Sequence, residues 1–177
     1  MAKSHDTQFY DDMLKGNAYK DMVRAILEQS GYSVYPFGYE STFSSVKSKL
    51  AKDTKCSRTV RRMRSSPDLL VHDEQKKDLM LVEVKMRTKV PPEIKPRLIE
   101  NIREFWNDSI LVLVVPEGNV FYAQRICEIE IREKYYRLED FEEFQSIFTK
   151  VQSDKLLHYK EKALQDLKKS KTSGSED

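Results

Sequence analysis

Cysteine is nearly missing from this 177-residue chain: Cys56 and Cys127 stand far apart, with no Cys-x-x-Cys and no His pair beside either. That excludes a disulfide scaffold and leaves no spacing that signals a zinc site or an iron–sulfur cluster. Both thiols are expected to be ordinary reduced side chains. His5, His72 and His158 are equally scattered, and no role is assigned to them. With only five Gly and six Pro, the composition excludes low-complexity and collagen-like chains and argues for much helix. No apolar run approaches the roughly 18 residues that a membrane helix needs, and Met1 to Tyr10 lacks the apolar segment of a signal peptide. A soluble, cytoplasmic protein without a membrane partner is expected.

What is present is globular. An apolar fraction of 39%, with nine Tyr and eight Phe, suffices for one self-sufficient core. The expectation is a single domain over residues 1–169 with a disordered polar tail, 170–177. A net charge of +2 hides an asymmetry. Lys47, Lys49, Lys52, Lys55, Arg58, Arg61, Arg62 and Arg64 crowd together with Asp53 alone among them, whereas Glu128 to Glu143 is mostly acidic. The basic run marks where a phosphate backbone would approach, and the acidic stretch should face away from it.

Periodicity predicts a helix from Asp11 to Ser30 through Met13, Leu14, Met22, Val23, Ile26 and Leu27, started or interrupted at Gly16 and stopped by Gly31. Tyr32 to Tyr35 alternates like a strand, and Ser41 would cap a helix reaching about Leu50. The basic segment Ala51 to Ser66 reads as a loop or strand. Pro91 and Pro92 suit the start of a helix carrying Ile94, Leu98, Ile99, Ile102, Phe105 and Trp106. Ile110 to Val115 is continuously apolar, as a strand covered on both faces would be, and Val120 to Ala123 is a further strand. Leu138 to Phe148 and Asp154 to about Lys169 are expected helices, with Phe141, Phe144 and Phe148 as core. The whole reads as an α/β fold, a central mixed sheet flanked by helices with extra helices at the C-terminal end.

One constellation carries chemistry. Asp68 precedes the apolar run Leu69-Leu70-Val71; His72 to Asp78 reads as a turn; Leu79 to Val82 leads into Glu83-Val84-Lys85. Side chains alternate along a strand, so Glu83 and Lys85 share a face while Val84 points away. An acid at the start of one strand and another at the end of its antiparallel neighbour lie side by side, because paired strands run roughly 5 Å apart. Two carboxylates with an ammonium between them suit Mg²⁺, or Mn²⁺ in its place, and a phosphate ester.

Pro67-Asp68, the turn and Glu83-Val84-Lys85 together resemble the signature of the PD-(D/E)XK nuclease superfamily, and in outline its archaeal Holliday-junction-resolvase-like members. The resemblance spans about Gly16 to Ala123. It implies a restriction-endonuclease-like core and a Mg²⁺-dependent phosphodiesterase, with Asp68, Glu83 and Lys85 catalytic and Asp68 and Glu83 binding metal. It also implies a further acid, for which Asp21 and Glu40 are candidates; at the aligned helical position this chain has Tyr19 or Lys20. Arg62, Arg64, Arg87 and Lys89 flank the motif and would clamp phosphates. After Lys85 the chain offers Asn101, Arg103 and Glu104 instead of the glutamine and tyrosine that mark the recombination-exonuclease branch, so the resemblance favours a structure-selective or repair endonuclease acting on DNA rather than RNA. Recognition of a longer site would come from loops or from a homodimer. The alternative is a catalytically inactive nucleic-acid-binding module of the same fold.

Overall fold

The computed structural model describes residues 5–42, 57–87, 96–115, 121–130 and 141–172. Helix α1, His5–Gln29, begins earlier than its apolar periodicity predicts and runs through Gly16 without interruption. Tyr19, Met22, Val23, Ile26 and Leu27 form its buried stripe, recurring at three- and four-residue steps. Its end is a Schellman cap. The Gly31 N–H donates to the Glu28 carbonyl and the Tyr32 N–H to the Leu27 carbonyl, at 3.0 and 3.1 Å, with Gly31 at φ +86°.

Among the described residues six strands form one mixed sheet whose spatial order follows chain order: β1 Ser33–Pro36, β2 Leu69–Asp73, β3 Asp78–Met86, β4 Ile110–Val114, β5 Phe121–Arg125 and β6 Glu142–Glu143. Only β3 and β4 are parallel. Between these two strands the chain runs through helix α4, Pro96–Trp106. Among the described residues, α2 over Tyr39–Thr42 and α3 over Arg58–Arg64 stand between β1 and β2, and α5 over Phe144–Ile147 and α6 over Ser153–Thr172 follow β6. The α/β class expected from the sequence, a mixed sheet with helices around it, is what forms.

Alternation along β3 and β4 divides the core in two. Val82, Val84, Ile110 and Val112 join α1, Phe144, Phe148, Tyr159 and Ala163 on one side of the sheet. Leu111 and Leu113 join Ile99 and Ile102 of α4, with Ile126, Ile129 and Phe141, on the other. The register pairs Glu83 with Leu111 and Lys85 with Leu113, which puts both charged residues on the α4 side.

Four local expectations need correction. Arg58–Arg64 is helical rather than loop or strand: Val60 is buried, and the Ser65 N–H closes the helix on the Arg61 carbonyl. Pro67 then forces the chain out of helical backbone and into β2. Ser41 lies inside α2, its hydroxyl donating to the Gly38 carbonyl at 2.8 Å, and so is not an N-cap. The expected helix from Leu138 is broken, because Glu142 and Glu143 pair with Ala123 and Tyr122 as an edge strand and helix resumes only at Phe144. Helix α6 continues through Ser170 to Thr172, into what the composition marks as a tail. Residues 43–56, 88–95 and 131–140, which hold the Lys47 to Lys55 run, the Pro91-Pro92 start and Leu138, lie outside the described residues.

The β2–β3 hairpin is held at its turn by a buried acid. Asp73 is 1% exposed; its Oδ1 accepts the N–H groups of Gln75 and Lys76 at 3.0 and 3.2 Å and the Lys150 ammonium at 2.6 Å. The Lys150 hydrogen bond is the main reason its carboxyl titrates below the usual carboxylate value. A carboxylate with a depressed folded pKa stabilises the fold above its unfolded pKa, and that contribution is lost as pH falls through the folded value. Asp73→Asn is therefore expected to lower the melting temperature by at least several degrees at neutral pH, with the gap to wild type narrowing in acid. Thermal melts followed by circular dichroism between pH 2 and 7 check this, and a gap constant with pH would contradict it.

Candidate metal and phosphate site

Sheet register builds the site. Leu69 pairs with Val82 at the last rung of the β2–β3 ladder, so Asp68, one residue before β2, stands opposite Glu83. At that point the Asp68 side chain extends the pairing: its Oδ2 accepts the Val84 N–H at 2.9 Å. Its backbone is held from the other side, where the Asp68 carbonyl accepts the N–H groups of Phe37 and Gly38 at 3.0 and 3.1 Å. These bonds fix Asp68 from the turn after β1 and from β3 at once.

Glu83 is buried, and its carboxylate is paired with the Lys85 ammonium on the same face of β3. Burial pushes its pKa up to about 7; the Asp68 charge pushes the same way, while Lys85 and Lys20 oppose. Glu83 is thus about half ionised near neutrality. Burial alone would lower the Lys85 pKa, but the charges of Glu83 and Asp68 outweigh it and hold the ammonium above its ordinary value. Lys85 is a cation throughout the physiological range.

The motif residues lie between two clefts. One, of about 360 Å³, is lined by Lys20, Asp21, Arg24, Tyr39, Asp68 and Glu83. The other, of about 470 Å³, is lined by Arg61, Arg64, Glu83, Lys85, Asn101 and Phe105. Arg64, Ser66, Glu83 and Lys85 border both. A chain of phosphates could cross the motif from one side to the other.

The structure thus brings Asp68, Glu83, Lys85 and Arg64 together. Asp21 lines the Asp68 cleft but is exposed. Glu40 belongs to α2, with its side chain outside the described residues. Arg62 stacks on Trp106 at 5.1 Å, and Arg58 and Arg61 lie over Phe105 at 5.9 and 5.5 Å. Arg87 is half-buried: its Nη1 donates to the Met86 carbonyl at 2.7 Å, and burial lowers its pKa. Lys89 lies outside the described residues. Arg103 turns inward to donate to the Ile126 and Ile129 carbonyls, which gives it a packing role.

Lys20 is the residue that motif reading misses. Its Nζ lies 2.7 Å from Asp68 Oδ1. A lysine on an amphipathic helix is ordinarily solvated, and the one hint in the sequence is that it stands where the resemblance calls for an acid.

Among the described residues no three His, Cys, Asp or Glu side chains gather at one point. The donor set is two hard carboxylates on adjacent strands beside open clefts, and this fits Mg²⁺, which takes one or two carboxylates and completes its shell with water and phosphate oxygens. The Glu83 pKa is raised mainly by burial, with the Asp68 charge adding to it. Infrared or carbon-13 titration of labelled Glu83 is expected to find a midpoint near 7 in the free protein. In Asp68→Asn the loss of a neighbouring negative charge should move that midpoint down; an unmoved midpoint would mean that the two carboxylates do not sense each other.

No protein-family model matches the chain, and no curated protein sequence matches it. Among solved structures, it is similar to Archaeoglobus fulgidus Hjc, a Holliday junction resolvase from an archaeal hyperthermophile, at 15% identity and a TM-score of 0.48, over 75% of this chain and 98% of that one.

Proposed function

We propose that this protein is a metal-dependent nuclease that hydrolyses phosphodiester bonds in nucleic acid, with DNA the favoured substrate and Asp68, Glu83 and Lys85 as its catalytic residues. The observation that carries the reading is the register that sets Asp68 opposite Glu83, with Lys85 beside them, at a junction of two clefts bordered by arginines. Burial of Glu83 beside a second acid is not explained by stability alone, since a buried ion pair is seldom more stabilising than apolar packing.

Asp68 and Glu83 would hold the ion, Mg²⁺ or Mn²⁺, which when bound supplies an acidified water and charge neutralisation at the phosphate. The chain's own groups do the rest. The scissile phosphate docks against Lys85, whose ammonium offsets the charge that builds on the phosphate oxygens in the transition state. Glu83, as a carboxylate, accepts a hydrogen bond from the attacking water and orients it. Arg64, which borders both clefts, engages a flanking phosphate. The stacked guanidinium groups of Arg58, Arg61 and Arg62 extend the positive surface along α3 away from the site. Arg61 is also paired with Glu104, which holds its fork in place.

A second reading has one observation behind it. Lys20 neutralises Asp68, and a chain kept in that state would bind nucleic acid without cutting it. Labelled single-stranded, duplex, flap and four-way-junction DNA, with RNA counterparts, incubated with Mg²⁺ or Mn²⁺ separates the two. Cleavage that falls at least about a hundredfold in Asp68→Asn, Glu83→Gln and Lys85→Met, each folded, is the expected result. Binding without any cleavage by the wild type would favour the module.

The arginine face makes an independent prediction. Replacing Arg58, Arg61 and Arg62 by Gln should weaken binding of every substrate alike and flatten the slope of log affinity against log salt by roughly 0.9 for each lost duplex phosphate contact. Fluorescence anisotropy across a salt series measures it; an unchanged slope would remove α3 from the interface.

A further inference from the structure

Asp68 is anchored by backbone hydrogen bonds, and the cation on it sits at the end of a long, partly exposed side chain. Its carbonyl and its Oδ2 are occupied by three backbone N–H groups, two from the turn between β1 and α2 and one from β3, which leaves Oδ1 as the carboxylate oxygen without a backbone donor. Lys20 holds that oxygen at 2.7 Å. The α1 backbone at this point is fixed by its buried neighbours Tyr19, Met22 and Val23. Beyond it, the Lys20 side chain is a flexible four-carbon stem, 33% exposed, ending in a cleft that also holds Asp21, Arg24 and Tyr39. The carboxylate side chain is only 10% exposed, so the ammonium covers much of its remaining approach.

We propose that Lys20 is a resident counter-cation of the carboxylate centre: it occupies the Asp68 oxygen that a divalent ion would need, must withdraw for that ion to enter, and thereby sets how tightly the centre binds a divalent cation. This rests on the reading of Asp68 and Glu83 as a metal centre. Two effects act in the same direction. The ammonium competes for Oδ1, and its unit charge repels a second cation a few ångströms away, where shielding is weaker than in bulk water. The pair is also partly open to solvent, and ion pairs of that kind contribute little net stability, so it can yield to an ion of higher charge. Lys85 differs in kind, being paired with Glu83 on the same strand at the edge of both clefts.

The test is Mn²⁺ binding, read by electron paramagnetic resonance of the free ion, with no nucleic acid present. Wild type, Lys20→Met, Lys20→Gln and Lys20→Arg are compared, each alone and combined with Glu83→Gln, and folding is checked by circular dichroism. Expected is Mn²⁺ affinity raised roughly tenfold or more in Lys20→Met and Lys20→Gln, close to wild type in Lys20→Arg, and abolished by Glu83→Gln in every background. A purely structural lysine would give weaker binding in both neutral variants. Glu83-dependent binding that is unchanged or weaker without Lys20 overturns the Lys20 inference and leaves the metal centre standing. Failure of the four proteins that keep Glu83 to bind Mn²⁺ more tightly than their Glu83→Gln counterparts overturns the centre itself, and the inference with it.

Discussion

The pairing of β2 with β3 is the constraint on which everything else depends. Side chains alternate at every residue of a strand, so a slip of one position would send Glu83 and Lys85 into the apolar layer against α1 and turn Val82 and Val84 toward the clefts. The chain guards that register at both ends. At the turn, Asp73 binds two backbone N–H groups and the Lys150 ammonium. At the open end, Asp68 takes the Val84 N–H. The acid that would hold an ion is therefore also a strand clamp, and its placement does not depend on the ion.

Charge balance at the centre follows from this geometry. Two acids forced together by backbone pairing, with Glu83 buried, cannot both remain ionised without positive charge nearby. Lys85 and Lys20 supply it from different elements, one along the same strand and the other from the helix that crosses the sheet. Burial nevertheless keeps the Glu83 pKa raised, to about 7.

The hairpin and its acids were legible because their signal is local: two short apolar runs, a charged turn between them, and Asp68 and Glu83 at the ends that antiparallel pairing brings together. The buried strand β4 was legible for the same reason, since Ile110 to Val114 has no polar break. Helix α3 was not, because four arginines leave Val60 as its one fully buried residue and no apolar stripe shows. Strand β6 was hidden by its length of two residues, and Glu142 and Glu143 suit an exposed edge as readily as a helix. Contacts across long stretches of chain were out of reach altogether. Lys150 meets Asp73 and Lys20 meets Asp68 only because α1 and the residues before α6 settle on particular parts of the sheet. Nothing local to those lysines encodes a partner.

Sheet order that follows chain order bears on how the molecule is made. Each strand finds its neighbour as the next strand to be synthesised, and a single helical crossover, between β3 and β4, interrupts the run of antiparallel neighbours. The β2–β3 and β4–β5 connections, residues 74–77 and 115–120, are short and close at little entropic cost, whereas those leading into β2 and β4 span residues 37–68 and 87–109. Asp68, Glu83 and Lys85 all precede β4, so the motif is carried by the first half of the polypeptide, while the second half supplies Asn101 and Phe105 to the cleft beside it and Lys150 to the hairpin turn.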